Sequence, residues 1–269
     1  MKIIKTANKI TLALLNKKKI GFIPTMGCLH EGHVSLIKKS KKKKLLTVVS
    51  IFVNPLQFNN KNDFKRYPKT ILSDLKICKK NKVDYVYLPE KNVIYPEKKI
   101  IIKNKIHGFK NYMEGRFRPG HFEGVIEVVK RLLTHVKTNY LFLGKKDYQQ
   151  LIIIKKYLES INSKIIIVPC ETIRAKNGVA LSSRNKLLNQ KSLNIAGKII
   201  NFLKKNKNQI IKTKNNLLFI KKMRALGANK IDYLSAFNVK VLKKTNKPSI
   251  NTRVFVAYYL NGVRLIDNF

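Results

Sequence analysis

Acidic residues, cysteine pairs and long apolar runs are scarce in this chain, and each shortage narrows what it can be. The three cysteines, Cys28, Cys78 and Cys170, are odd in number, far apart and in no CxxC pair. That excludes a disulfide framework and a zinc ribbon, and it predicts a reducing, cytoplasmic setting. No apolar stretch approaches the roughly 18 residues that would span a bilayer, so no membrane partner is expected. Only the start of the chain resembles a leader, with Lys2 and Lys5 ahead of the apolar patch Ile10 to Leu15. That patch is short, and Lys17-Lys18-Lys19 stands where small residues would mark cleavage. An amphipathic first helix is predicted instead.

The shortage of acid leaves 14 Asp and Glu against 57 Lys and Arg, a net charge of +43. Such a balance ordinarily points to nucleic acid, because clustered cations release counterions from phosphate backbones. Here only nine of the basic residues are Arg, and Lys is spread along the whole chain among Ile and Asn. A specific reader would concentrate Arg forks and aromatic stacking platforms. The pattern fits a coding drift toward A and T, so no specific nucleic-acid partner is expected. Solubility and weak nonspecific RNA binding are the predicted consequences.

What is present is enough for a core: 269 residues, 44% hydrophobic, with 13 Phe. This length predicts one main domain and a smaller second one. The first two-thirds alternate strand-like and helical segments. Strands are expected at 19–23, 45–53, 83–88, 140–143 and 164–168, and helices at 33–44, 69–80, 123–136 and 148–160. Apolar strands alternating with helices mean an α/β fold with a doubly wound parallel sheet, over residues 1–173. From 174 to 269 a helical region precedes strands at 231–238, 253–260 and 263–267, predicting a smaller α+β domain. No internal repeat is visible.

Candidate chemistry gathers where strands end and helices begin, the rim at which such sheets bind ligands. Pro24-Thr25-Met26-Gly27-Cys28-Leu29-His30-Glu31-Gly32-His33 leaves the first strand and opens a helix. A helix N-terminus offers unpaired N–H groups and a positive dipole end to a phosphate. Gly27 and Gly32 relieve crowding there, and His30 and His33, three apart, can present both rings to one side. A His-pair metal site is the competing reading, although no third carboxylate follows at a clean spacing. Asn54 and Gln57 end the second strand and suit a ligand with hydroxyls and a carboxylate. Arg118 and His121 occupy a basic loop suited to an anion. Gly144-Lys145-Lys146-Asp147-Tyr148-Gln149-Gln150 again joins strand to helix, with Lys146 to neutralise phosphate and Gln150 one turn along. Gly178 to Asn185 offers Ser182, Ser183 and Arg184, hydroxyls and a guanidinium suited to phosphate.

These segments together resemble pantothenate synthetase, a family of the HxGH nucleotidyltransferase-like group. The likeness spans PTMG…HEGH, SIFVNPLQF, YPKT at Tyr67 to Thr70, RPGHFEGV, LGKKDYQQ, LSSRN and the terminal RLIDN at Arg264 to Asn268. It implies a Rossmann-like fold and an AMP-forming ligase joining (R)-pantoate to β-alanine through a pantoyl adenylate. By that resemblance the catalytic set is His30, His33, Lys146, Ser182, Ser183 and Arg184. ATP would be bound by these with Pro24, Thr25, Met26, Gly27, Gly32, Gly144, Asp147, Val179 and Leu181. Gln57, Gln150 and Asn54 would bind pantoate and β-alanine. Mg²⁺ would arrive with ATP, Asp74 being the candidate acidic ligand, and a homodimer is implied. The chain departs from the family's habit at Lys145, Ala175 and Asn177, usually acidic, at Cys28, usually Ala, and at Leu181, usually Met.

Overall fold

In the first unit, Met1–Glu171, the strands are apolar on both sides because both faces of their sheet are covered. The computed structural model describes residues 1–96 and 108–269, and a second unit runs from Thr172 to Phe269. The described strands of the first unit are β1 (Lys2–Ile4), β2 (Ile20–Thr25), β3 (Leu46–Ile51), β4 (Tyr85–Tyr87), β5 (Tyr140–Gly144) and β6 (Ile166–Cys170). They form one parallel sheet in the order β1-β4-β3-β2-β5-β6. Its helices are α1 (Ala7–Leu14), α2 (Glu31–Lys42), α3 (Lys61–Arg66), α4 (Ile71–Lys80), α5 (Lys91–Ile94), α6 (Met113–Phe117), α7 (His121–His135) and α8 (Tyr148–Ser160).

Successive strand residues point to opposite faces, and here both faces are apolar. Phe22, Val48, Tyr87 and Leu141 pack into one cluster with α1, α7 and α8. Their chain neighbours Ile23, Val49, Val86 and Phe142 pack into another with α2 and α4. The sheet is therefore doubly wound, as the alternation of elements predicts. Its strand order reverses between β2 and β5. That reversal opens the crevice where doubly wound sheets bind ligands, at the carboxyl ends of the strands. The histidine turn follows β2 and the Lys146 turn follows β5.

The second unit holds α9 (Gln190–Lys205), α10 (Lys207–Lys212), α11 (Leu217–Ala225), β7 (Lys230–Asn238), β8 (Lys243–Lys244), β9 (Thr252–Leu260) and β10 (Val263–Asn268). The strands form an antiparallel sheet in the order β10-β9-β7-β8. Leu234 and Ala236 of β7, Val254 and Val256 of β9, and Val263 and Leu265 of β10 put their side chains under Ile199, Leu203, Ile211 and Met223. This is the small α+β unit expected at the C-terminal end. Among the described residues, no helix is long and apolar enough to cross a membrane.

Candidate active site

Leaving β2, the chain turns through Gly27 and Cys28, whose φ values of 77° and 51° are both left-handed. A side chain at that conformation is strained, so something must hold Cys28 there. The holder is Asp74 of α4, 1% exposed. Its Oδ2 accepts from the Cys28 N–H at 2.9 Å, and its Oδ1 from the Leu29 N–H at 2.8 Å and the Thr70 hydroxyl at 3.1 Å. A Cβ on Gly27 would stand 3.0 Å from the same Oδ2. Both oxygens of Asp74, the expected Mg²⁺ ligand, are buried and engaged in fixing the turn. Thr25 is engaged likewise, donating to the Ser50 carbonyl at 2.7 Å and accepting from the Gly27 N–H at 3.2 Å.

His30 and His33 cap α2 reciprocally. His30 Nδ1 accepts from the Gly32 N–H at 3.1 Å, and His33 Nδ1 accepts from the His30 N–H at 3.3 Å. This is the geometry of a capping box, with imidazoles in place of hydroxyl and carboxylate. An Nδ1 that accepts cannot carry a hydrogen, so each neutral ring has its proton on Nε2. Burial pushes the His33 pKa down to about 3, assisted by His30 and Lys146 and opposed by Asp147. The ring centroids are 4.2 Å apart, too close for two cations to be comfortable. Gly32 has no room for a side chain, since a Cβ would stand 2.7 Å from His30 Cε1. The pair is thus a set of neutral Nε2–H donors at a helix N-terminus, beside the sheet's point of reversal.

At the end of β3, Gln57 is 8% exposed and held at both ends. Its side-chain oxygen accepts from Asn54 at 3.1 Å, and its Nε2 lies 2.9 Å from the Met26 sulfur. Its backbone carbonyl accepts from Arg118 Nη2 at 3.0 Å and from His121 Nδ1 at 2.9 Å. Arg118 also donates to Glu114 at 3.2 Å. Arg118 and His121, the pair expected to meet an anion, brace Gln57 in this structure. Asn54 is used in full: its amide donates to Gln57 and the Gly124 carbonyl, and its oxygen accepts from Leu56 N–H and the Tyr95 hydroxyl. Asn54 is 1% exposed and orients Gln57.

Beyond β5, Gly144 has open space where a Cβ would be, room for a ligand to approach the backbone. Lys146 follows in a single turn, its Nζ 3.0 Å from Asp147. The next two glutamines divide. Gln149 is buried and accepts from the Glu114 N–H at 3.0 Å while donating to the Phe109 and Tyr112 carbonyls at 2.8 and 2.9 Å. The Gln150 amide makes no such bond to the described residues.

In the second unit, Val179 and Ala180 are buried, and Leu181 leads into a short helical turn, Ser183–Leu187. Ser182 caps it, its Oγ accepting from the Arg184 N–H at 3.3 Å, which leaves the hydroxyl proton to donate.

The sequence profile of the pantoate-β-alanine ligase family matches residues 2–269. The pantothenate synthetase of Francisella tularensis subsp. novicida (strain U112) is 41% identical over 269 residues, covering 99% of this chain and 95% of that one. The chain belongs to the pantoate-β-alanine ligase family. Among solved structures, the Francisella tularensis ligase, complexed with beta-gamma ATP and β-alanine, superposes with a TM-score of 0.89 at 38% identity, over 100% of this chain and 97% of that one. The Thermus thermophilus enzyme gives 0.93 at 31% identity, over 100% and 99%. The fold, family and activity implied by the sequence motifs are accordingly those of a ligase that joins pantoate to β-alanine.

The ligase's departures from family habit have local partners. Lys145 pairs with Glu171 at the surface, and Asn177 donates to the Leu193 carbonyl at 3.0 Å while accepting from the Val179 N–H at 3.3 Å. Tyr95 and Glu114, which brace the Gln57 region, carry no signal in the sequence. Neither lies in a Gly-rich turn or beside another candidate.

Proposed function

We propose that the ligase works in two half-reactions. The pantoate carboxylate attacks the α-phosphate of ATP, forming pantoyl adenylate and releasing pyrophosphate; the β-alanine amine then attacks the acyl carbon, forming pantothenate and releasing AMP. With a pKa of about 4 the carboxylate is already ionised at neutral pH, so the first step needs no base. It needs donors aimed at the charge that grows on the phosphates. The observation that carries this reading is the capping pair His30 and His33, with ring protons on Nε2 and His33 held neutral. A ring with a pKa of about 3 does not serve as a proton-delivering acid at neutral pH, so His33 acts by hydrogen bonding. Lys146 adds full positive charge, and Ser182, Ser183 and Arg184 add further donors. Met26 and Gly144 line the nucleotide site, while Gln57 and Gln150 hold pantoate.

Asp74 is committed to the turn, and no group of three His, Cys, Asp or Glu residues among the described residues is placed to hold a metal ion. Mg²⁺ arrives on the triphosphate of ATP, as its counterion. A cytoplasmic homodimer completes the reading, and sedimentation velocity checks the dimer. The chemistry is tested by pantoate-dependent exchange of labelled pyrophosphate into ATP without β-alanine. Exchange is expected; none from a preparation that makes pantothenate would exclude the adenylate route.

A further inference from the structure

The terminal segment Arg264 to Asn268 is part of the family resemblance, yet none of the chemistry above uses it. The structure shows Asp267, on β10, in a two-pronged pair with Arg174. Arg174 Nη1 donates to Asp267 Oδ2 at 2.6 Å and to the Gly178 carbonyl at 3.0 Å. Nη2 donates to Asp267 Oδ1 at 2.8 Å and to the Asn268 carbonyl at 3.3 Å. The two nitrogens thus use all four of their hydrogens, and the side chains are only 19% and 7% exposed. Such a planar fork suits Arg and no other residue.

What the fork holds is a tight hairpin. Arg174 bridges to Ala180, the Ala175 N–H bonds to the Val179 carbonyl at 2.8 Å, and Gly178 sits at a φ of 88°. On its other side the hairpin rests on α9: Asn177 donates to the Leu193 carbonyl, and Asn201 donates to the Asn177 carbonyl at 3.3 Å. A Cβ on Gly197 would stand 3.0 Å from Asn177, so the approach is close. The Leu181 N–H then bonds to the Ile173 carbonyl at 2.9 Å, which passes the hairpin's register directly to Ser182 and the turn it caps.

We propose that Arg174 and Asp267 are positioning residues for the segment carrying Val179, Leu181, Ser182, Ser183 and Arg184, and so govern how tightly ATP is held and how fast pantoate is adenylated. The proposal rests on the assignment of that segment to the ATP phosphates. Asp267→Asn keeps the shape but removes one acceptor and the charge. Arg174→Lys keeps the charge but cannot reach Gly178 and Asn268 together with both carboxylate oxygens.

The test uses the full-length chain with Asp267→Asn, Arg174→Lys and Arg184→Ala. Steady-state kinetics with each substrate varied, pantoate-dependent pyrophosphate exchange and thermal melts are measured. Both clamp variants are expected to raise KM for ATP about tenfold and to slow exchange by a similar factor, leaving KM for β-alanine unchanged. A role in stability alone would lower every rate by one common factor, through the active fraction, and would move no KM; that result overturns the proposal. If Asp267→Asn does not fold, Arg174→Lys, which preserves the buried charge pair, is read by the same criterion. Arg184→Ala separates the two layers. Should it leave KM for ATP and exchange at wild-type values, the assignment of the segment to phosphate fails. Should it impair both while the clamp variants do not, the clamp alone fails.

Discussion

The backbone N–H of His30 bonds to Nδ1 of His33 at 3.3 Å, so the helix terminus itself selects the tautomer of the second histidine. With the His33 pKa lowered from 6.5 to about 3, chiefly by burial, the ring stays neutral at physiological pH. The depressed value means the unfolded chain takes up the proton first. The contribution to stability is therefore full above 6.5 and is lost progressively as pH falls toward 3. At about pH 5 the loss should be about 2 kcal/mol. The expected outcome is a His33 ring resonance that does not titrate between about pH 5 and 8 in an NMR titration. A midpoint near neutrality would make His33 able to deliver a proton, against the hydrogen-bonding role proposed for it.

Asp74 is the acid closest in sequence logic to a metal ligand and, in the fold, an anchor. Asp74→Ala removes two hydrogen bonds from buried backbone N–H groups to a carboxylate, and should cost about 3 kcal/mol or more. It should also let Cys28 leave its left-handed conformation and blunt turnover. Melting curves give the first effect. The second is diagnostic when Mg²⁺ is varied: half-saturation by Mg²⁺ should be unchanged in the weaker Asp74→Asn variant. A large rise there would restore the metal role.

Most of the architecture is legible in the sequence, because the central strands are continuous apolar runs and the longer helices keep a clear period. Tyr148–Ser160 matches its expected helix end to end. Lys2–Ile4 escapes a reading of the sequence because three residues at a sheet edge carry no periodicity, and helices such as Lys91–Ile94 are single turns. In the candidate site, sequence locates turns but not the direction of side chains. It cannot tell that Gln149 faces inward while Gln150 does not, or that Asn54 meets Tyr95, 41 residues away. The anchoring role of Asp74 is hidden for the same reason: its charge is visible in the chain, but the two N–H groups that meet it are brought there only by folding.

Gly124 of α7 sets the position of the turn that carries Gln57. A Cβ there would stand 2.4 Å from the Leu56 carbonyl oxygen and 2.9 Å from the Gln57 nitrogen, both backbone. Neither can rotate away, so Gly124→Ala must separate the helix from the turn. Because Asn54 also donates to the Gly124 carbonyl at 3.0 Å, the amide pair moves as well. KM for pantoate should rise about tenfold with KM for ATP little changed. Equal changes in both would show that the turn does not discriminate between the substrates.

Gln149 and Gln150 are adjacent, chemically identical and opposite in use, which makes them a controlled pair. Gln149→Ala strips partners from the Glu114 N–H and the Phe109 and Tyr112 carbonyls. Losing these three buried hydrogen bonds should cost about 2–4 kcal/mol of stability. Gln150→Ala breaks no bond to the described residues, so the melting temperature should barely move, as for substitutions worth about 0.5 kcal/mol or less. Its effect should fall on KM for pantoate, at least about tenfold, because a hydroxy acid loses a donor and acceptor that water replaces poorly. Parallel melts and pantoate titrations separate the two. Stability lost at Gln150 with pantoate affinity retained would mean that Gln150 supports the helix and that pantoate is held elsewhere.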